Sequence, residues 1–148
     1  MAVNPDFVGR TYPPSGPYAV DAALIAAFAA AVGSADAVHT DAEAARAAGY
    51  ADVIAPPTMA VRFSQEAERA YIVDPEAGID YSRVVHGEQR FAHTRPVRAG
   101  DVLTVTVTLE SVKSAGGHDM VTSRSDVATV EGEHVVTAWS TLVVRGGE

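Results

Sequence analysis

The sequence predicts an α+β fold in which one antiparallel sheet wraps around a central helix. The first observation is the stretch Val53–Tyr71, which is typical of a loop that turns into a buried helix, V-I-A-P-P-T-M-A-V-R-F-S-Q-E-A-E-R-A-Y. The second is a change of hydrophobic period after residue 80, from the 3.6 of a helix to the 2 of a strand. One apolar helix beside several long strands is best buried against one face of their sheet.

The central helix is predicted over Pro57–Tyr71, because proline is tolerated in the first turn of a helix, where its missing N–H would be unpaired anyway. Pro75 disfavours helical backbone at the residue before it, so the helix is expected to end near Val73. Apolar residues recur at helical spacing and predict the buried face: Met59, Phe63, Ala67, Ala70 and Tyr71.

The segment before this helix is predicted to hold two shorter helices. Residues 1–20 are rich in proline and glycine, which indicates an extended segment with one short edge strand. Asp21 is a good N-cap for an alanine-rich helix that Gly33 would end. Thr40 and Glu43 match a capping box and predict a second, short helix closed by Gly49.

After residue 80 the alternation of apolar and polar residues predicts four long strands, at Val84–Thr94, around Leu103–Leu109, at His118–Val130 and at His134–Val144. A single sheet leaves long strand edges, which proteins must cover or blunt. We therefore predict a dimer whose contacts include a strand from the 83–95 or the 134–144 region.

Composition narrows the class of protein. The length of 148 residues fits one domain spanning 1–148, and the absence of cysteine excludes disulfides and thiolate nucleophiles. Eleven basic against 19 acidic residues give a net charge of −8, which argues against nucleic-acid binding. No apolar run has the length of about 20 residues that a membrane span needs, and the N-terminal residues lack a signal-peptide layout. We expect a cytoplasmic protein that does not bind membranes.

Four arginines late in the chain leave two interpretations open. They could form a local basic patch for an acidic partner such as a carrier protein, or they could be ordinary solvated positions on strands. These arginines are Arg83, Arg90, Arg95 and Arg98.

The residues alone carry little catalytic signal. His39 follows Ser34 and Asp36 in one loop, so His39 with a nearby carboxylate could act as a general base. The alternative is that Ser34 and Asp36 make local loop hydrogen bonds and His39 lies near a helix cap. The other histidines lack the spacing of metal ligands, and the glycines form no phosphate-binding fingerprint, so no metal and no cofactor is predicted.

Long motifs across the chain nevertheless resemble one known family. The run F-x-x-x-V-G-S-A-D-A-V-H-T-D is similar to the hydratase motif of the MaoC-like, hot-dog-fold (R)-specific enoyl hydratases and 3-hydroxyacyl-thioester dehydratases. The later H-G-E-Q-R-F and R-P-V-R-A-G-D resemble the second half of that fold. Within the family, the chain looks most like the actinobacterial group, with a FAS1-type dehydratase-like domain, that contains the A subunit of the (3R)-hydroxyacyl-acyl-carrier-protein dehydratase.

The resemblance implies a catalytic loop that has lost one group. The family motif G-D-x-N-P-x-H places Gly33 at its glycine and His39 at its histidine, but Ser34 stands at the catalytic aspartate. Asp36 occupies the asparagine position, two residues further along. Dehydration needs an acid–base pair on one face of the substrate, and serine has no suitable pKa for that role.

A second departure lies at the start of the central helix. Catalytic members of the family have A-H-G-M there, and the backbone N–H near the glycine stabilises the oxyanion of the thioester. Pro56 and Pro57 occupy the aligned positions, and proline has no N–H to donate. The resemblance implies that substrate is contacted by six residues: Pro56, Pro57, Thr58, Phe63, His86 and Gly87.

Three functional hypotheses follow. The first is a non-catalytic, acyl-thioester-binding subunit of a heteromeric (3R)-hydroxyacyl-thioester dehydratase of fatty-acid biosynthesis, with a catalytic hot-dog partner and an acyl-CoA or acyl-carrier-protein ligand. The second is a homodimeric hydratase or dehydratase that uses His39 with Asp36. The third is a stand-alone acyl-thioester-binding or regulatory protein. A thioesterase is less favoured, because its helix-borne carboxylate would have to be Glu66 or Glu68.

Overall fold

The structure is a computed structural model that describes residues 2–147. Three α-helices precede most of the sheet: α1 (Ala22–Ala31), α2 (Ala42–Ala47) and α3 (Val61–Ile72). The five strands are β1 (Ser15–Ala19), β2 (Val84–His93), β3 (Val102–Ala115), β4 (His118–Thr129) and β5 (His134–Val144). The four long strands predicted from the period of two are confirmed, with boundaries shifted by a few residues.

All five strands form one antiparallel sheet in the order β1-β3-β4-β5-β2. Helix α3 packs against β1, β3 and β4 on the concave face, so the predicted arrangement of a sheet around a helix is confirmed. Strand β5 is paired on both sides and has no open edge. Among the described strands the edges are therefore β1 and β2, and only β2 of the two predicted contact regions offers an edge to a partner.

The central helix begins later than the sequence predicts. Pro57 lies in a turn over residues 57–60, and α3 begins at Val61. Two hydrogen bonds hold the turn, from the N–H of Met59 to the carbonyl of Pro56 and from the N–H of Val61 to the carbonyl of Thr58. Both span three residues, which is the pattern of a 3-10 helix rather than an α-helix. The boundary predicted at Pro57 is wrong, because the backbone over residues 57–60 closes i→i−3 turns and the i→i−4 pattern begins only with the bond of 3.0 Å from the N–H of Ser64 to the carbonyl of Ala60.

The buried face of α3 also differs in part from the predicted one. Phe63, Ala67 and Tyr71 are buried as expected, whereas Ala70 is exposed. The positions that complete the buried face are polar, Ser64 and Glu68. The helix therefore brings a carboxyl group onto the sheet.

The two shorter helices are capped by aspartates. The carboxylate of Asp21 accepts a hydrogen bond of 2.7 Å from the N–H of Leu24, which confirms the predicted cap of α1. The predicted cap of α2 is wrong by one residue, because Asp41 rather than Thr40 accepts from the first-turn N–H groups. A carboxylate is the better acceptor at the positive end of a helix.

The core lies between α3 and the concave face of the sheet. On β3 every second residue is buried and apolar, Leu103, Val105, Val107 and Leu109. The concave face of β4 and β5 is interrupted by small polar residues, since Ser123, Ser125 and Ser140 are all at most 1% exposed. These serines form a buried polar strip opposite the polar side of α3.

Candidate functional site

His39 is held at the end of a short 3-10 helix, Ala37–His39, and is only 6% exposed. Its Nδ1 lies 2.6 Å from the carbonyl oxygen of Ile54. A carbonyl only accepts, so Nδ1 carries the hydrogen and Nε2 keeps its lone pair. Within residues 2–147, Nε2 makes no hydrogen bond. The imidazole is thus fixed in an orientation that leaves Nε2 as a proton acceptor.

Asp36 does not act as the partner of this imidazole. Its carboxylate accepts a hydrogen bond of 3.1 Å from the N–H of Val38 and caps the 3-10 helix, with the side chain exposed. Ser34, which the resemblance predicts at the position of the catalytic aspartate, is half-buried, and its N–H donates to the carbonyl of Ala29 at 2.8 Å. The structure therefore supports the local-capping interpretation of Asp36.

The turn before α3 lies beside the histidine loop. The N–H of Ile54 donates to the carbonyl of Val38 at 3.0 Å, and this bond and the His39 contact join the two segments. Pro56 is buried two residues further along, and Pro57 and Thr58 are exposed. Over residues 2–147 the N–H of Thr58 makes no hydrogen bond, so it is a free donor at this turn.

His86 and Gly87 lie elsewhere, on the edge strand β2. His86 is paired with Leu142 of β5 and therefore faces the concave side, and its Nε2 lies 3.1 Å from the amide oxygen of Gln89. Gly87 sits in a β-bulge, where a Cβ would come within 3.1 Å of the side chain of Val143 and within 3.3 Å of the carbonyl of Thr141. A side chain at this position would have to displace its neighbours on β5 by a few tenths of an ångström, so the bulge favours glycine.

An open groove of about 1420 Å³ runs over α3 between the two edge strands. It is lined by residues from β1, α3 and β2, by Leu142 of β5, and by Ile79 and Tyr81 from the segment between α3 and β2. Of the predicted substrate-contacting residues only His86 lines it. Phe63 lies in the core instead, 2% exposed, with its ring centroid 5.3 Å from that of Tyr18.

The structure therefore divides the predicted site into two parts. His39 and the turn with Pro56–Thr58 lie together, whereas His86 and Gly87 lie on β2 and line or border the groove. The roles of all these residues in substrate binding stay predictions.

The most unusual ionisable group near the groove is Glu68, which the sequence named only as one of two carboxylates for a less favoured thioesterase. Glu68 is 2% exposed and lines the groove from α3. The hydroxyl of Ser123 donates to its Oε1 at 3.4 Å, and the hydroxyl of Tyr71 donates to Ser123 at 3.4 Å. Burial raises the pKa of Glu68 to about 7, and the hydroxyls of Ser123 and Ser140 offset only part of that rise.

A sequence signal for this cluster does exist. Serines occur at inward positions of β4 and β5, in V-T-S-R-S-D-V and A-W-S-T-L, where a buried sheet face normally carries apolar residues. A run of buried serines opposite an acidic residue of a helix indicates a polar core site.

The arginines proposed as a basic patch are not equivalent. Arg95 makes a two-pronged contact with Asp101, at 2.9 and 2.8 Å, and also contacts Glu133. Its charge is neutralised within the chain. Arg90 stacks over the ring of Trp139 at 4.2 Å, on the opposite face from the groove. The structure thus gives no support to a patch that includes Arg95.

Two features of the described residues bear on other classes of site. Between residues 2 and 147, no group of three or more histidine, aspartate or glutamate side chains could hold a metal ion. In the same range, none of the helices is long and apolar enough to cross a membrane.

The sheet, its central helix and the histidine loop define a hot-dog fold of the MaoC-like dehydratase type. Residues 6–138 match the family model described as FAS1-like, dehydratase domain region, and the chain belongs to this family. It is 56% identical to a UPF0336 protein of Streptomyces avermitilis over 148 residues, covering all of this chain and 99% of that protein. A UPF0336 protein of Leifsonia xyli is 55% identical, with the same coverage.

Solved structures confirm the hot-dog fold. A MaoC-like dehydratase superposes with a TM-score of 0.87 at 30% identity, over 95% of this chain and 43% of that one, so the present chain spans less than half of that protein. A HadBC (3R-hydroxyacyl-ACP dehydratase) complex from Mycobacterium tuberculosis gives 0.82 at 29% identity, over 93% of this chain and 97% of that one. A ChsH1-ChsH2 complex from the same organism gives 0.68 at 23% identity, over 93% of this chain and 98% of that one, which shows the fold alone.

Proposed function

We propose that this protein is the acyl-thioester-binding subunit of a heteromeric (3R)-hydroxyacyl-thioester dehydratase and that a related hot-dog partner supplies the acid–base pair. The observation that carries the proposal is the missing carboxylate beside His39. Ser34 stands where the family has its aspartate, and Asp36 is exposed and bonded to a backbone N–H. A histidine alone can accept a proton, but dehydration also requires a second group that handles the departing hydroxyl.

The turn before α3 supports the same conclusion. The position that offers the oxyanion donor in catalytic members is Pro57, which has no N–H. The next free donor is the N–H of Thr58, one residue further along. A displaced donor stabilises an oxyanion poorly, because such stabilisation depends on donors placed in advance at the developing charge.

Two observations support a partner subunit, a similar solved structure that is a complex and the open edge of this chain's sheet. The HadBC neighbour is a complex of dehydratase subunits, and β2 of this chain is an edge strand with exposed concave positions. In our proposal, β2 faces the partner and the acyl chain of an acyl-CoA or acyl-carrier-protein thioester occupies the groove over α3. The proposed setting is fatty-acid biosynthesis in the cytoplasm.

A self-sufficient homodimeric hydratase is the second candidate, and one observation favours it. The lone pair of His39 Nε2 is available for proton abstraction, which is the arrangement a general base requires. In this candidate Asp36 must leave its capping role to assist His39, since the two side chains share no hydrogen bond. A stand-alone binding protein would share the groove and would lack activity with any partner.

The test is hydration of crotonyl-CoA and of a long-chain enoyl-CoA, by the purified protein alone and after co-expression with a hot-dog protein from the same operon. We expect little turnover alone and clear turnover of the complex. His39→Ala in this chain should then reduce the activity of the complex only modestly, because in the proposal the partner supplies the acid–base pair. If His39 were itself the acting group, its removal would cost about 10²–10⁴-fold.

The rivals forecast different results. The homodimeric enzyme would turn over rapidly alone and would lose that activity in His39→Ala and in Asp36→Ala. A binding protein would bind acyl-CoA, yet would remain inactive with every partner. A matched control is His118→Ala, which removes an exposed imidazole on β4 and should leave every activity unchanged.

A further inference from the structure

Two carboxyl groups of α3 line the groove, and the fold shields one of them from bulk solvent. Glu66 is exposed, whereas Glu68 is only 2% exposed. On the sheet side of Glu68 lie Ser123, whose hydroxyl donates to Oε1 at 3.4 Å, and its cross-strand partner Ser140. Both serines are at most 1% exposed. Water inside the groove is therefore the solvent that can still reach the Glu68 carboxyl.

The groove has a mixed wall, and the part of it next to Glu68 is apolar. Ile72 follows Glu68 by one helical turn on α3 and lines the groove. Leu142, the next inward-facing residue of β5 after Ser140, lines it as well. A hydrocarbon chain that lies along Ile72 and Leu142 would displace the water that borders the carboxyl.

The surroundings of Glu68 offer no counter-charge for a carboxylate. The strand side chains that face it, Ser123 and Ser140, do not titrate, and burial raises the pKa of the neighbouring Tyr71, which stays neutral. Within residues 2–147 Glu68 makes no ion pair. The other titratable residues that line the groove are Tyr18, Glu66, Arg69, Tyr81 and His86.

Burial, rather than any of these groups, has the largest effect on the pKa of Glu68. It raises that pKa to about 7, and the serine hydroxyls lower it only in part. Loss of the groove water would raise the pKa further, because an unpaired carboxylate in an apolar site costs far more free energy than a neutral carboxyl.

We propose that the groove over α3 binds an apolar chain together with a proton, so that the occupied groove keeps Glu68 neutral. A ligand that binds better to the protonated protein also raises the affinity of that protein for the proton, because the two binding events are thermodynamically linked. Occupancy of the groove therefore falls as the pH rises through neutrality. The inference rests on the proposed function for the nature of the ligand, an acyl chain, and adds the regulation of its site.

The test is calorimetric titration of the full chain with octanol, a chain without an ionisable group, and with octanoyl-CoA, from about pH 6 to about pH 8. With a carboxyl pKa of about 7, octanol should bind about tenfold more weakly at the upper pH than at the lower one. Titrations near pH 8 in two buffers of different ionisation enthalpy should show the uptake of close to one proton for each octanol bound.

Three variants assign the proton. Glu68→Gln cannot titrate, so it should bind octanol equally at both pH values and take up no proton. Glu66→Gln is the matched control, because Glu66 lines the same groove from an exposed position, and it should keep the pH dependence and the uptake. His86→Gln should keep them too, since a histidine that becomes neutral on binding would release a proton rather than take one up.

The outcomes separate this inference from the proposed function. If octanol binds equally at both pH values, or if the pH dependence survives Glu68→Gln, the inference is wrong, whereas the proposed function stands if octanoyl-CoA binds. If octanol binds with proton uptake and octanoyl-CoA binds neither to the chain alone nor with its co-expressed partner, the proposed function is wrong and the inference stands. If neither ligand binds to either form of the protein, both are wrong.

Discussion

Replacing Glu68 with glutamine should stabilise the protein at alkaline pH and have little pH-dependent effect in acid. Burial between α3 and the sheet is the largest influence on this carboxyl and raises its pKa from the ordinary 4.5 to about 7. The Ser123 and Ser140 hydroxyls act in the opposite direction and do not compensate. The charged form of Glu68 is therefore the form that the fold disfavours.

The sign of the effect follows from proton binding. Below about pH 4.5 the carboxyl is neutral in both states and contributes nothing. As the pH rises from 4.5 to about 7, the unfolded chain has lost a proton that the folded protein keeps, so the free energy of unfolding falls. Above about pH 7 the whole cost is present, and the difference between 4.5 and 7 at about 1.36 kcal/mol per pH unit gives about 3 kcal/mol.

The assay is urea unfolding of the wild type and Glu68→Gln in a series of buffers from about pH 5.5 to about pH 8.5. Because glutamine does not titrate, the variant should gain stability relative to the wild type by about 2 kcal/mol across this range. Glu66→Gln is the control, since its exposed side chain should give a flat difference. A flat difference for Glu68→Gln as well, or one that grows toward acid, would refute the assignment of a buried neutral carboxyl.

Three further variants test the core and the caps by urea unfolding. Phe63→Ala removes a ring that is 2% exposed and packed on Tyr18, and should cost about 3–5 kcal/mol; a loss below about 1 kcal/mol would place the ring outside a closed core. Arg95→Leu should cost about 3 kcal/mol, because it leaves the 5%-exposed Asp101 carboxylate without a counter-charge and with only the N–H of Arg98 as a donor, and Arg95→Leu with Asp101→Leu should recover part of that loss. Asp21→Ala should cost about 1 kcal/mol by removing the cap of α1, whereas Asp21→Asn should cost little.

The strands were predictable because their signal is local. On β3, Val105, Val107 and Leu109 alternate with threonines, and a period of two places the apolar set on one face whatever the neighbouring strands do. The cap at Asp21 was predictable for the same reason, since its hydrogen bond reaches only to Leu24. Such features depend on a few consecutive residues.

The start of α3 was not predictable from the same rules. Pro57 is compatible with a first helical turn and equally compatible with the turn that is found, and the choice depends on the bond from Ala55 N–H to the carbonyl of Val97. That bond, of 2.7 Å, fixes the extended backbone before the turn and is made with a loop about 40 residues later in the chain. Local propensity contains no information about it.

The candidate site was predicted in part. The family resemblance predicts that His39 and the turn with Pro57 belong to one site, and the structure places them side by side. The role of Asp36 was not predictable, because it depends on whether its carboxylate reaches the imidazole or a nearby N–H. The burial of Glu68 was not predicted, because the buried face of a helix is inferred from its apolar residues and a glutamate is expected in solvent. Its burial is possible only because Ser123 and Ser140, on strands far along the chain, are small and polar opposite it.

The open edge of β2 allows one more prediction. Proline substitutions on this strand can separate the loss of a partner strand from the loss of the fold, depending on which way the replaced N–H points. The N–H of Thr94 donates to the carbonyl of Val135, on the β5 side of the strand. In an antiparallel ladder successive N–H groups point to opposite sides, so the N–H of Ala92 also points to β5, and those of Gln89 and His93 point to the open edge.

A proline at an outward-pointing position removes no backbone hydrogen bond within the chain, whereas it blocks a partner strand. His93→Pro is the cleaner of the two variants, because Gln89→Pro also removes the side-chain hydrogen bonds of Gln89 with the carbonyl of Trp139 and with His86. Gln89→Pro and His93→Pro should therefore keep the folded circular-dichroism spectrum and shift the protein from dimer to monomer in light scattering. Ala92→Pro should instead destabilise the fold itself, because it breaks the ladder with β5. If Gln89→Pro and His93→Pro both remain dimeric, β2 is not the strand through which two copies of this protein meet. A wild type that is monomeric alone would contradict the homodimer and leave β2 to be tested with the co-expressed partner.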